Sequence, residues 1–222
     1  MTPPTYADTM AEPAEDARVA WEAHYTAKPQ VWSGRVNAML AEIVGQLEPA
    51  HALDLGCGEG GDSLWLAEQG WTVVAVDIST TALDRAHAAA ESGGLAAQID
   101  FQSCDLSTGF PAGSFDLVSA QFLHSPVEMD RPALLQRAAD AVAPGGRLLI
   151  VDHGAAPPWA SKIHHHDFPS AEEVLAGLEL DVAQWERLRV GAVERMADSP
   201  DGERVSLTDN VIWARRAEPP RN

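Results

Sequence analysis

His51-Ala52-Leu53-Asp54-Leu55-Gly56-Cys57-Gly58-Glu59-Gly60-Gly61-Asp62 is the stretch from which the fold is read. Ala52, Leu53 and Leu55 suit a short buried strand. Gly56, Gly58, Gly60 and Gly61 let the backbone bend sharply and approach a ligand closely. Asp62 and Ser63 are expected to cap a helix that runs to about Gly70. A helix N-terminus beside a bare loop is a docking point for a polar cofactor. The spacing Gly56-x-Gly58-x-x-Gly61 also fits a dinucleotide fingerprint. Asp54, just before the glycines, argues against that: a carboxylate there repels a pyrophosphate and attracts a cationic ligand.

Further strands and helices alternate along the chain. Thr72–Asp77 is a β-branched run ending in an acid, followed by a helix over Thr80–Glu91 capped by Ser79 or Thr81. Gln98–Leu106 reads as a third strand ending at Asp105, and Ser114–Gln121 as a fourth. Asp130-Arg131-Pro132 opens a helix to about Val142, with proline tolerated in its first turn. Pro144-Gly145-Gly146 breaks the chain before a fifth strand, Arg147–His153. Ser170-Ala171-Glu172-Glu173 is a capping box for a helix to about Gly177. Trp185–Met196 and Glu203–Arg215 read as a hairpin turning at Ser199–Gly202. Upstream, residues 15–28 have helical composition, and Ala38–Leu47 is a second helical run ended by Pro49.

Asp54-Leu55-Gly56-Cys57-Gly58-Glu59-Gly60 resembles the first motif of class I S-adenosylmethionine-dependent methyltransferases, and motif order is similar over about residues 35–153. The later tail is similar in pattern to the tellurite-resistance and thiopurine-type small-molecule branch. The fold class expected is α/β: a Rossmann-like, seven-stranded, mostly parallel sheet with an antiparallel C-terminal hairpin and helices on both faces. One methyltransferase domain is expected over 37–216, with an arm or lid over 1–36, a lid loop at 154–170, the hairpin at 182–216 and a tail at 217–222.

The resemblance implies S-adenosyl-L-methionine as cofactor, S-adenosyl-L-homocysteine as product, and in-line displacement at the sulfonium methyl of a small-molecule substrate. It implies cofactor contacts from Asp54, Gly56, Cys57 and Gly58, ribose hydroxyls on Asp77, and Ile78 over the adenine face. It also implies the adenine amino group on Asp105 and the Leu106 amide on a ring nitrogen. A backbone carbonyl at Ala120 or Gln121 takes the ammonium. Arg35, on the arm, is a candidate for the methionine carboxylate, because an arginine fork suits it. Bland roles stand beside these: a helix cap for Asp77, a self-bonded turn for Asp105, a solvated charge for Arg35. Asp116 is expected to be structural.

Tyr25, Trp32, Trp159 and His165 are expected to line the acceptor pocket. His124 and His153, at strand ends, are candidate catalytic bases, since histidine titrates near neutral pH. The run His164-His165-His166-Asp167 admits three readings: solvated rings, a substrate-orienting or basic cluster, or metal ligation with Asp167 or Asp152. Adjacent histidines point apart, and no metal site is assigned.

A net charge of −18 without a basic cluster argues against nucleic acid. The nucleobase-enzyme signature Asp/Asn-Pro-Pro-Tyr/Phe is absent. No run of about 18 apolar residues suggests a membrane span. Residues 1–16 lack signal-peptide character. Cys57 and Cys104 suggest buried thiols in a reducing cytoplasm rather than a disulfide framework. A monomer or homodimer is expected. The rival readings are a non-catalytic S-adenosylmethionine-binding module and a nicotinamide-dependent oxidoreductase; Asp54, Asp105 and the hairpin weigh against the latter.

Overall fold

The computed structural model describes residues 16–159, 168–199 and 201–218. Its elements run α1 (Ala17–Thr26), α2 (Ala38–Val44), β1 (His51–Leu55), α3 (Gly61–Glu68), β2 (Thr72–Asp77), α4 (Thr80–Gly93), β3 (Ile99–Ser103), β4 (Phe115–Gln121), α5 (Arg131–Asp140), β5 (Val142–His153), α6 (Ala171–Gly177), β6 (Trp185–Asp198) and β7 (Arg204–Arg216). The strands form one sheet in the order β3-β2-β1-β4-β5-β7-β6. β1 pairs in parallel with β2 and β4, whereas β7 runs antiparallel to β5 and β6. This is the expected sheet and hairpin.

Side-chain alternation explains why both faces carry helices. Leu53, Leu55, Val118, Leu148 and Ile150 point into one core with Leu134 and Leu135 of α5 and Leu175 of α6. Ala52, Val73, Leu117, Leu149 and Val151 point into the other, with Met39, Leu40 and Val44 of α2 and Leu66 of α3. The chain leaves β1 toward β2 and β3, then returns to the other side as β4. A crevice therefore opens beyond the C-terminal ends of β1 and β4, where ligands bind in open α/β sheets.

Several local expectations change. The cap of α3 is Gly60, at φ +83°, rather than Asp62 or Ser63. Both of those side chains are drawn elsewhere: Asp62 accepts from the Asn37 backbone at 2.6 Å and its side chain at 2.7 Å, and the Ser63 hydroxyl donates to Asp54 at 2.5 Å. β3 stops at Ser103, with the Cys104 amide still bonded to the Asp77 carbonyl at the end of β2. β5 begins at Val142 and carries Pro144-Gly145-Gly146 within it, absorbed by a register shift opposite Phe115–Leu117. α2 ends at Val44, short of Leu47. Ser79 caps α4 and leaves Asp77 free of that task, and the Ser170–Glu173 capping box forms as expected. Asp116 accepts from the His51 amide, a structural role.

Candidate active site

The crevice is a cleft of about 870 Å³, a size suited to a nucleoside cofactor with a small second ligand. Its lining brings together Tyr25, Trp32, Arg35, Asp54, Gly56, Cys57, Gly58, Asp77, Ile78, Asp105, Leu106, Gln121, His124, His153 and Trp159 from distant parts of the chain. Ala120 is not in that lining: it is wholly buried in the core of the sheet, and the wall passes to Gln121 and Phe122 one residue later. His165 and the rest of the 164–167 run lie outside the described residues. Among the described residues, no group of three or more His, Cys, Asp or Glu is arranged to hold a metal ion.

The glycine bend sits where positive φ is required. Gly56 has φ +70° and Gly58 φ +54°. A Cβ at Gly56 would come within 2.6 Å of Leu123 Cδ1, and one at Gly58 within 2.8 Å of the Tyr25 hydroxyl. Bare backbone is thus what keeps the cleft open between the bend and the arm. Asp77 Oδ2 accepts from the Gly58 amide and Oδ1 from the Ser79 amide, both at 2.9 Å. Each oxygen keeps a lone pair for a ligand hydroxyl. Asp105 takes the Ser107 amide in a self-bonded turn and also lines the cleft. Gln121 Nε2 donates to Ser119, and its buried Oε1 has no protein partner among the described residues. An unfilled acceptor at a strand end suits an ammonium group. Together with the glycine cradle, it fits the residues to S-adenosylmethionine.

Burial sets the electrostatics. Asp54 is pushed up to about 7 by desolvation, reinforced by Asp62 nearby. Burial also raises Asp77 despite its amide bonds. The Cys57 thiol is pushed well up by burial and by Asp77, which makes it a packing group rather than a nucleophile.

The arm is closed by polar contacts between residues far apart in sequence. Glu59, within the glycine bend, accepts the amides of Val31 at 3.0 Å and Trp32 at 2.8 Å and pairs with Arg85 at 2.8 Å. Arg85 also donates to the carbonyls of Tyr25 and Lys28. Glu22 of α1 accepts from Thr80 and Thr81 at the N-terminus of α4, and Arg18 donates to the Ile78 carbonyl. Neither contact has a local sequence signal: Glu22 meets Thr80 across 58 residues, and Glu59 meets Val31 across 28. Arg35 is exposed at the rim.

At the opposite end, His124 and His153 lie nearly parallel, with ring centroids 6.3 Å apart. His153 packs on Phe122 at 4.5 Å. Phe122 holds φ +51°, an uncommon conformation for a bulky residue. Burial lowers both histidines, His124 to about 4 with help from the Arg131 charge.

Residues 52–146 match the family described as "Methyltransferase domain". The chain is 34% identical over 129 residues to the 2-heptyl-1-hydroxyquinolin-4(1H)-one methyltransferase of Mycobacteroides abscessus, a match covering 56% of each chain. It is 30% identical to thiocyanate methyltransferase 1 of Arabidopsis thaliana, covering 70% of each. In fold, it is similar to the Bradyrhizobium japonicum N-methyltransferase NodS solved with S-adenosyl-L-homocysteine, at TM-score 0.63 and 19% identity, covering 91% of this chain and all of that one. These similarities, with the glycine bend and the strand-end acids, show that the chain belongs to the class I S-adenosylmethionine-dependent methyltransferases.

Proposed function

We propose that this protein transfers the methyl group of S-adenosylmethionine to a small-molecule acceptor. The observation that carries the reading is the glycine bend flanked by Asp54, Asp77 and Asp105 at successive strand ends, closed by an aromatic arm. Bound there, the cofactor supplies an electrophilic sulfonium methyl. The protein's part is alignment and exclusion of water. Asp77 is assigned the ribose hydroxyls, Asp105 and the Leu106 amide the adenine edge, Ile78 the adenine face, Gln121 the ammonium, and Arg35 the carboxylate. Of the lids expected at 1–36 and 154–170, the described residues 16–36, 154–159 and 168–170 are assigned to cover the cleft.

Relatives named for a hydroxyquinolone, thiols and thiocyanate support an oxygen or sulfur acceptor of the small-molecule branch. The −18 charge supports an acceptor other than nucleic acid, and the two free cysteines fit a cytoplasmic protein. No described helix is long and apolar enough to cross a membrane.

Calorimetry with S-adenosylhomocysteine and with NAD tests the reading. S-adenosylhomocysteine is expected to bind; binding of NAD alone overturns the class. A turnover screen with phenols, thiols and chalcogen oxyanions then separates an enzyme from a binding module, which would give no methylated product.

A further inference from the structure

The acceptor end of the cleft is organised by two residues outside the motif set. Asp152, at the end of β5, is almost fully buried. Arg131, at the start of α5, donates from Nη2 to both of its oxygens, at 2.5 and 2.7 Å, and from Nε to the Leu123 carbonyl at 3.0 Å. The Phe122 amide bonds the Val151 carbonyl at 2.7 Å. The turn Phe122-Leu123-His124 is therefore tied on one side to β5 and on the other to α5. These ties offset the strained φ of Phe122, the kind of strain found at functional sites. The turn delivers the His124 imidazole within 3.5 Å of Asp152 and parallel to His153. Phe122 packs on the His153 ring, and Met129, Trp159 and Phe168 line the same cleft.

We propose that Arg131 is a positioning residue which, through Asp152 and the Leu123 carbonyl, presents His124 as the proton acceptor for a substrate bearing a protic hydroxyl or thiol on an aromatic ring. The inference rests on the methyltransferase reading above. Arg131 occupies both oxygens of Asp152, so the carboxylate does not convert His124 into a permanent imidazolium. The groups facing His124 are Arg131 and Asp152 from α5 and β5 and the ring of His153. His153 in turn faces Asp209 of β7, which is paired with Arg195 of β6. Both histidines thus stand beside carboxylates already engaged by arginines. The downward shift of His124, caused by burial and by Arg131, agrees with that arrangement. In the step assigned to this pair, the acceptor's O–H or S–H bond breaks, its electron pair stays on the heteroatom, and the proton passes to an unprotonated nitrogen of His124. The imidazolium afterwards returns the proton to water.

The test is an imidazole NMR titration of the cofactor-free protein, wild type and Arg131→Gln, with S-adenosylhomocysteine calorimetry on both. Arg131→Gln removes the cation and frees Asp152 to pair with His124. The His124 midpoint is expected to rise by about one pH unit or more. The acid limb of kcat/KM with 2-naphthol and thiophenol as probes should move upward with it. Arg131→Lys should restore much of the low midpoint, and Asp152→Asn should leave it low. An unchanged midpoint in a folded Arg131→Gln protein overturns the inference. So does full activity on both probes in His124→Ala. Loss of S-adenosylhomocysteine binding by the wild type would instead overturn the underlying methyltransferase reading. If Arg131→Gln does not fold, Arg131→Lys and Asp152→Asn decide: a rise of the midpoint in Asp152→Asn overturns the proposal, and a low midpoint in both supports it.

Discussion

Replacing Glu59 by alanine should release the arm from the glycine bend without unfolding the sheet. Its carboxylate accepts two backbone amides, Val31 and Trp32, and pairs with Arg85. Hydrogen bonds to a charged partner contribute about 1.5–3 kcal/mol each. Some of that returns when the freed amides reach water, and Arg85 keeps its bonds to the Tyr25 and Lys28 carbonyls. The arm's closing free energy should therefore fall by roughly 2–4 kcal/mol, which corresponds to about 30- to 1,000-fold faster opening-limited exchange. Amide hydrogen exchange reads this directly at Val31 and Trp32, with the fully buried Leu149 of β5 as the control. The variant should lose protection in the arm and keep it in β5. Glu59→Gln, which retains one acceptor oxygen, should fall between. Unchanged protection at Val31 and Trp32 in a folded Glu59→Ala protein would refute the latch.

Three further outcomes follow from the same geometry. Gly60→Ala places a methyl 2.8 Å from Ala86 Cβ at φ +83°, so it should cost about 1–3 kcal/mol, seen as a lowered Tm. Asp54, with its folded-state value pushed up to about 7 from an ordinary 3.8, stays protonated in the fold after the unfolded chain has ionised. Its stabilising contribution is complete below pH about 4 and is lost as pH rises toward 7; Asp54→Asn should flatten that slope in urea titrations, and an unaltered slope would disprove it. Asp77→Ala should weaken S-adenosylhomocysteine binding by about 10- to 100-fold in calorimetry, since charge-accepted hydrogen bonds are lost. Equal affinity would remove Asp77 from the ribose role.

The parts of this protein legible in its sequence are those written in short-range chemistry. Positive φ at Gly56 and Gly58 needs glycine, strand alternation needs only a period of two, and the Ser170–Glu173 box spans one helical turn. Together these specified the sheet, its antiparallel hairpin and the bend that opens the cleft. Polar side chains are different, because an acid takes whichever donor the fold brings near. Asp62 and Ser63 looked like caps and instead bond Asn37 and Asp54. Glu59 finds the arm, and Arg131 finds Asp152 across 21 residues. Of the two residues expected at the end of β4, Gln121 reaches the cleft wall and Ala120 stays in the core. His124 and His153 were visible as candidates only because each ends a strand. That they share a wall, behind carboxylates held by arginines, was decided by tertiary packing, which sets distances that no local pattern encodes.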